Sequence, residues 1–338
     1  MANEKRVKPV PSTKPVPSMK PVPVRTCTVF ARSRSRDARA SPPMPLPAAE
    51  PELIDLDHLG RAHVLGAWRV GDVIIDPGPS SCIAKLLDAI GGREPDALAL
   101  THIHLDHAGA AGSLAARFPD LEVWVHARGA PHVIDPSKLL RSAARLYGSE
   151  MQRMWGEVLP VPAERVRILE GGEAIGDLRV AYTPGHATHH VCYLHAPSGT
   201  AFTGDAAGVR IDGACALPPT PPPDIDVEAW LESLRTLEAW RPSSLALTHF
   251  GAYADVAQHL AELRAELERL SELARGLDEE GFVAALRSRV REAAQGETVA
   301  AYERAMPPGQ SYQGLVRAAA QAQARGVCEH PPRGGSTA

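Results

Sequence analysis

The chain has 338 residues, of which 44% are hydrophobic and 22% are charged, an ordinary globular composition for one large domain or two small ones. Its net charge of −4 excludes a strong overall field, so nothing in the charge indicates nucleic acid or membrane binding. No run approaches the roughly 18–20 apolar residues of a transmembrane helix. The cysteines are widely spaced and include no Cys-x-x-Cys pair, so we expect a soluble, cytoplasmic protein with reduced thiols.

The first 47 residues differ in composition from the remainder. Lys-Pro-Val-Pro repeats begin at Lys8, Lys14 and Lys20, and an arginine-rich patch and further prolines follow. Proline at this density cannot supply the hydrogen bonds of a sheet, and few large apolar side chains are present to form a core. Residues 1–47 are predicted to be a disordered, basic, proline-rich tail, and Met44 is a second candidate for the start of the native protein.

From residue 48 onward, short apolar strands alternate with helices, which is typical of a layered α/β fold. Turn residues and periodicity predict strands at 52–57, 62–70, 73–76, 97–101, 121–125, 166–169, 178–183, 191–195, 200–202 and 244–248. They predict helices at 80–90, 108–118 and 227–240, with a mainly helical lid insertion at 127–160.

The order of these elements predicts how the chain is divided. Two strand-rich halves, each followed by helices, favour a sandwich of two sheets covered by helices, and we place this domain at 48–255. Leucines recurring at helical spacing from Leu260 to Leu273 predict a helical C-terminal extension at 256–326, packed on the domain. Residues 327–338 are predicted to be a disordered tail.

Metal-ligand residue types are concentrated where a buried strand ends. Thr101-His-Ile-His-Leu-Asp-His107 follows the apolar strand at 97–101 directly. His102 and His104 are two residues apart and point the same way on extended backbone, while Asp106 and His107 come as the chain turns into a helix. Imidazoles beside a carboxylate suit zinc and neighbouring first-row metals.

The same arrangement recurs at three other strand ends. His186 follows a strand on a Pro-Gly turn, Asp205 ends Phe-Thr-Gly-Asp, and His249 ends Leu-Thr-His. Any one of these is more often an ordinary turn residue, but together with the first motif they predict a shared metal site.

With these motifs the chain resembles the metallo-β-lactamase superfamily, in particular its hydrolases with a His-x-His-x-Asp-His motif, such as glyoxalase II and the acyl-homoserine lactonases. The resemblance covers about 52–255 and implies the αββα sandwich fold. It implies one metal ion held by His102, His104 and His186, a second held by Asp106, His107 and His249, and Asp205 bridging the two. Two zinc ions are expected, with iron or manganese as alternatives.

The resemblance also implies a mechanism. A hydroxide bridging the two ions would attack the substrate, with Asp106 orienting it or transferring a proton. Asp76, which ends a strand, and His190, four residues after His186, are predicted to support the ligands, Asp76 by a hydrogen bond to a ligand imidazole. His189 and His195 are interpreted as structural, and His126 and His132 as surface residues.

The substrate is predicted from the lid. Tyr147, Met151 and Trp155 offer apolar surface beside the metals, and the prolines at 217–223 would form a stiff rim. Such a pocket favours a small ester, thioester or lactone. The expected partner is therefore a small molecule and neither nucleic acid nor a membrane, and a homodimer is compatible with the sequence.

Three alternatives remain open. A phosphodiesterase or nuclease would use the same ions, but only 44 residues separate Asp205 from His249 (249 − 205), too few for a large inserted domain. A mononuclear iron enzyme similar to the persulfide dioxygenases would need only a subset of these ligands. A binding module with an inactive site would be expected to have lost some of them.

Overall fold

In a computed structural model of the protein, residues 49–329 are described, without the side chains of 325–329. The predicted tail at 1–47 and most of the one at 327–338 lie outside the described residues. Within the described range the strands form two six-stranded sheets with helices on both outer faces, which confirms the predicted αββα sandwich.

The first sheet has its strands in chain order, β1 to β6. Neighbours from β1 to β3 are antiparallel and those from β3 to β6 are parallel. Its strands are β1 (Glu52–Asp55), β2 (Gly66–Val70), β3 (Val73–Ile75), β4 (Ala97–Ala99), β5 (Glu122–His126) and β6 (Val166–Leu169).

The second sheet has the order β12-β11-β10-β9-β8-β7. Only β10 and β11 run parallel among its described pairs. Its strands are β7 (Ala174–Ile175), β8 (Leu178–Tyr182), β9 (Val191–His195), β10 (Thr200–Gly204), β11 (Ser244–Leu247) and β12 (Gly251–Tyr253).

Side chains that alternate along each strand build separate apolar layers, because successive residues of a strand face opposite sides. In β4, Ala97 and Ala99 join the cluster between the sheets with Trp68 and Tyr193, whereas Leu98 faces the outer helices. The sandwich is thus held by a core between the sheets and by one core under each helical layer.

The helices divide between the two outer faces and the lid. Those described are α1 (Ile83–Ala89), α2 (Leu105–Ala108), α3 (Ala111–Arg117), α4 (Ala130–Ile134), α5 (Ser137–Tyr147), α6 (Met151–Trp155), α7 (Val227–Trp240), α8 (Val256–Gly276), α9 (Glu279–Ala293), α10 (Glu297–Ala305) and α11 (Pro308–Glu329). Residues of α7 to α11 pack on the second sheet, where the leucine stripe from Leu260 to Leu270 is fully buried. Helix α11 continues slightly past residue 326. No helix within 49–329 has both the length and the hydrophobicity to cross a bilayer.

Several element boundaries differ from the sequence prediction. The strand expected at 62–70 begins only at Gly66. The helix expected at 80–90 starts as a 3-10 turn, because Ser80 Oγ donates to Gly109 O and does not cap the helix. The helix expected at 108–118 is divided into α2 and α3, since Ala110 N donates to Gly78 O.

Candidate metal centre

Loops at the ends of four strands bring all seven predicted ligands together. His102 and His104 follow β4, with Asp106 and His107 on α2, while His186, Asp205 and His249 follow β8, β10 and β11. They form two groups with ligand atoms within 4.8 Å of one another: His102, His104, His186 and Asp205 in the first, and Asp106, His107 and His249 in the second.

Three imidazole nitrogens converge in the first group. His104 Nδ1 lies 3.0 Å from His102 Nε2 and 3.0 Å from His186 Nε2. One imidazole nitrogen carries either a lone pair or a proton, so it cannot form two ordinary hydrogen bonds in this plane. The spacing is close to the roughly 3.3 Å between nitrogen ligands of a tetrahedral ion with bonds of about 2.05 Å.

Asp205 lies between the two groups. Its Oδ2 is 3.3 Å from His186 Nε2, and its Oδ1 is 3.3 Å from His107 Nε2 and 3.6 Å from His249 Nε2. Asp106 Oδ2 is 3.5 Å from His249 Nε2. This carboxylate geometry fits the bridging position that the resemblance implies for Asp205.

Buried polar atoms at the centre lack partners among the described residues. His107 Nε2, His249 Nε2 and Asp205 Oδ1 are buried and make no hydrogen bond within 49–329. Leaving a buried donor or acceptor unpaired costs about 1–3 kcal/mol, so this cluster requires a partner that the described residues do not supply. A cation bound at these atoms satisfies all three.

The opposite nitrogens of four histidines fix which ring nitrogen faces the centre. His186 Nδ1 lies 2.9 Å from Pro219 O, His249 Nδ1 2.8 Å from Val64 O, and His107 Nδ1 2.8 Å from Asp76 Oδ2. Carbonyl and carboxylate oxygens only accept, so each Nδ1 donates, and in the neutral imidazole each Nε2 presents a lone pair to the site.

The same logic applies to His102. Its Nδ1 lies 3.1 Å from Thr101 Oγ1, and that hydroxyl donates to Asp76 Oδ2 at 2.7 Å. The hydroxyl therefore accepts from His102 Nδ1, which leaves the lone pair on Nε2. Four preorganised imidazole lone pairs are the donor set that zinc and other first-row metals bind.

Asp76 accepts the hydrogen bonds that keep these ligand side chains in place. It is fully buried, and its carboxylate accepts from Thr101 N at 2.8 Å, from Thr248 Oγ1 at 3.0 Å, and from His107 and Thr101 side chains as above. The structure therefore places Asp76 where the sequence predicts a residue that orients a ligand imidazole.

His190 is placed differently from Asp76. It is fully buried and shares a hydrogen bond with Thr183 Oγ1 at 2.9 Å, and its ring stacks on that of His102 at 5.0 Å. It makes no hydrogen bond to a ligand imidazole among the described residues. Its contact with the ligand set is thus ring packing.

Without a bound ion, the histidines of the site differ in their pKa values. Burial alone would lower the pKa of His107, but Asp205, Asp106 and Asp76 raise it well above its usual value. Burial lowers the pKa of His186 to about 4, against the effect of Asp205. The carboxylates therefore favour positive charge at His107 Nε2, which a proton or a metal ion can provide.

Two glycines allow the ligand loops to approach their neighbours. Gly204, with φ +47°, precedes Asp205, and a Cβ there would lie 2.3 Å from Thr101 Oγ1. Gly185, with φ +133°, precedes His186, and a Cβ there would overlap the backbone of Trp230. Any other residue at these positions would displace the ligand that follows.

A cavity of about 330 Å³ opens beside His104, Asp106 and Asp205. The lid supplies Tyr147 and Trp155 to its wall, and the prolines at 219–223 form another side. Met151, also predicted for the pocket, packs on the cluster of Leu105, Ala143 and Trp155 and is not part of the wall.

Other wall residues were not recognised from the sequence. His132 and His189 line the cavity, and Ile103 N donates to His189 Nδ1 at 3.4 Å, whereas His126 is buried and stacks on Tyr182. Arg304 and Gln310 come from the C-terminal helices. The His-Ala-Thr-His-His run at 186–190 was the available signal for His189, but nothing local marks Arg304.

The Metallo-beta-lactamase superfamily profile matches residues 71–249. The chain belongs to this superfamily. Metallo-beta-lactamase superfamily members are generally hydrolytic metalloenzymes, and the histidine and aspartate clusters of this chain fit that chemistry.

Individual relatives and solved structures are also similar to this chain. It is 30% identical over 207 residues to the metallo-beta-lactamase fold-containing protein ST1585 of Sulfurisphaera tokodaii, covering 58% of this chain and 76% of the relative. The solved structure of ST1585 is similar with a TM-score of 0.55 and 26% identity, covering 66% of this chain and 87% of that one.

One relative has a named activity. Hydroxyacylglutathione hydrolase of an Enterobacter strain is 31% identical over 154 residues, which cover 44% of this chain and 48% of the relative. The match therefore spans about half of that enzyme.

Proposed function

We propose that this chain is a binuclear metal-dependent hydrolase of small esters, thioesters or lactones. The observation that carries the proposal is the convergence of two ligand groups, with buried atoms that lack partners among the described residues, beside a cavity. Zinc is the proposed metal, because four imidazole lone pairs and carboxylates suit it.

The second ligand group supports two ions over one. A mononuclear site would use the first group and leave His107 Nε2, His249 Nε2 and Asp205 Oδ1 buried without partners. This cost disfavours the alternative of a mononuclear iron dioxygenase.

The cavity supports a small acyl substrate over a polymer. Helices of the lid and of the C-terminal extension both contribute to its wall, and its apolar members include Leu139, Leu146 and Trp155. A cavity of about 330 Å³ suits a small molecule. The name hydroxyacylglutathione hydrolase, carried by a relative, describes hydrolysis of an acylated thiol, which is compatible with this class. The proposed partner is thus a small molecule and neither nucleic acid nor a membrane.

The residues around the centre would have different roles in the reaction. Two bound dications lower the pKa of a water molecule and polarise a carbonyl. Asp106 is the more exposed of the two central carboxylates, with 24% of its side chain accessible against 5% for Asp205. It is therefore the group that can take a proton from the attacking water. Burial and Asp106 raise the pKa of Tyr147, so its phenol keeps its proton beside the cavity.

Asp106→Asn is expected to abolish hydrolysis of aryl esters, thioesters or lactones while part of the metal is retained. The amide still coordinates weakly but cannot accept the proton. Asp224→Asn is a matched control, because Asp224 also lines the cavity but lies outside both ligand groups. It should lose far less activity.

The assay panel should also contain a phosphodiester, a phosphotriester and a β-lactam, with oxygen uptake on a persulfide followed for iron-loaded protein. Phosphodiester cleavage alone would move the assignment to a phosphodiesterase, and oxygen consumption without hydrolysis would move it to a dioxygenase. Undiminished turnover by Asp106→Asn would contradict the role of this carboxylate.

A further inference from the structure

The cavity wall between the lid and the C-terminal helices contains two hydrogen-bond donors without acceptors. They are Trp155 Nε1, at the end of α6, and Arg304 Nε, near the end of α10. Both atoms are buried, and both residues line the cavity. Neither takes part in the metal centre.

Packing prevents the Trp155 indole from turning toward another acceptor. The side chain is 5% exposed, stacks on His58 with ring centroids 5.5 Å apart, and meets the edge of Tyr147 at 5.1 Å. The carbonyl of Met154 is already used by Ser81 Oγ at 2.7 Å and by His58 Nε2 at 2.9 Å. The indole N–H is thus fixed in the wall without a partner.

Arg304 is a cation without a counterion among the described residues. Two arginines near it are paired: Arg61 with Glu297, and Arg153 with Glu150 at 2.7 Å. Burial, together with Arg61 and Arg153, lowers the pKa of Arg304. Its terminal nitrogens also have no acceptor within 49–329 and, unlike Nε, they are not buried. A guanidinium with a buried Nε and no counterion among the described residues favours binding of an anion.

The other charged wall residues do not neutralise Arg304. Arg128 and Lys138 are cationic and form no ion pair within the described residues, and the one carboxylate of the wall outside the metal groups is Asp224. Asp224 Oδ2 accepts from Thr188 Oγ1 at 3.2 Å and lies 4.0 Å from His189 Nε2. Outside the metal centre the cavity therefore carries more positive than negative side chains.

We propose that Arg304 binds an oxyanion of the substrate, a carboxylate, phosphate or sulfonate group, through its accessible terminal nitrogens. The assignment of this anion to a substrate rests on the proposed hydrolase function. The substrate would then be an acyl compound with its hydrolysable bond at the metals and an anionic group at the lid, and not a purely apolar ester.

Binding can be measured without turnover. Isothermal titration calorimetry of the full-length protein would compare 4-phenylbutane-1-sulfonate with 4-phenylbutan-1-ol, since a sulfonate is a weak metal ligand. We expect the sulfonate to bind about 10- to 100-fold more tightly, the range for a charge-assisted hydrogen bond. Arg304→Met should remove this preference, and Arg304→Lys should keep most of it. Trp155→Phe, which retains the ring contacts but removes the buried indole N–H, should leave the preference intact.

Arg153→Met is the matched control, because Arg153 is a neighbouring but ion-paired arginine outside the cavity wall. It should leave the preference intact. An unchanged preference in a folded Arg304→Met variant would overturn the proposal, as would its loss only in Lys138→Met. If Arg304→Met does not fold, Arg304→Gln replaces it and is judged by the same criterion.

The same variants separate this proposal from the proposed function. With an anionic and a neutral ester, Arg304→Met should raise KM for the anionic ester alone and leave kcat unchanged. If the metal-loaded wild type hydrolyses neither ester but shows the Arg304-dependent sulfonate preference, the hydrolase assignment fails and the anion site stands. If it hydrolyses both with the same KM in wild type and variant, the anion site fails and the hydrolase stands.

Discussion

Replacing Asp205 with alanine is expected to reduce bound metal from a pair of ions to one or none and to lower hydrolysis by at least about a thousandfold. Asp205 is the carboxylate whose two oxygens face different ligand groups, at 3.3 Å from His186 Nε2 and 3.3 Å from His107 Nε2. Its loss removes the shared ligand and leaves the histidine cluster without the charge that holds two dications close together.

Elemental analysis and ester hydrolysis on the same preparation would test this expectation. Asp177→Ala, which removes an exposed turn carboxylate remote from both groups, is the control and should behave as wild type. Full metal content and wild-type turnover in Asp205→Ala would contradict the bridging role.

Replacing Asp76 with asparagine should destabilise the protein by about 3 kcal/mol or more and weaken metal binding about 10- to 100-fold. Asp76 accepts from Thr101, His107 and Thr248, and an amide would turn an N–H toward at least one of these donors. Even with its oxygen toward His107, the neutral amide is a weaker acceptor than a carboxylate, so the His107 tautomer and its Nε2 lone pair would be held less firmly toward the site.

Chemical denaturation of metal-replete and chelator-treated protein separates the two effects of this change. Thr248→Val removes one of the hydrogen bonds to Asp76 without touching His107, and should cost about 1 kcal/mol with little change in metal affinity. Equal metal affinity in Asp76→Asn and wild type would show that Asp76 does not orient the ligand.

The metal centre could be predicted because each ligand stands beside a local signal. Apolar strands ending in Thr-His, Thr-Gly-Asp or Pro-Gly-His are visible in a window of a few residues, and the strand ends of a sandwich meet at one edge. The position of Asp76 was predicted for the same reason, since it directly follows β3.

The cavity wall could be predicted only in outline. Arg304 becomes a wall residue because α10 and α11 pack beside the lid, a long-range contact that no local pattern encodes. Strand β7, with only two residues, is too short for a periodicity, and β12 follows a ligand loop directly. His189 was interpreted as structural, because a histidine buried in the core and a histidine that lines a pocket occur in the same local sequence pattern.

The metal content of purified, metal-replete protein tests the central claim most directly. Elemental analysis is expected to find two first-row metal ions per chain, most of them zinc, lost together with activity on chelation and recovered on readdition. A chain that binds no metal, or that stays at one ion whatever the metal supplied, would contradict a binuclear centre built from these seven residues.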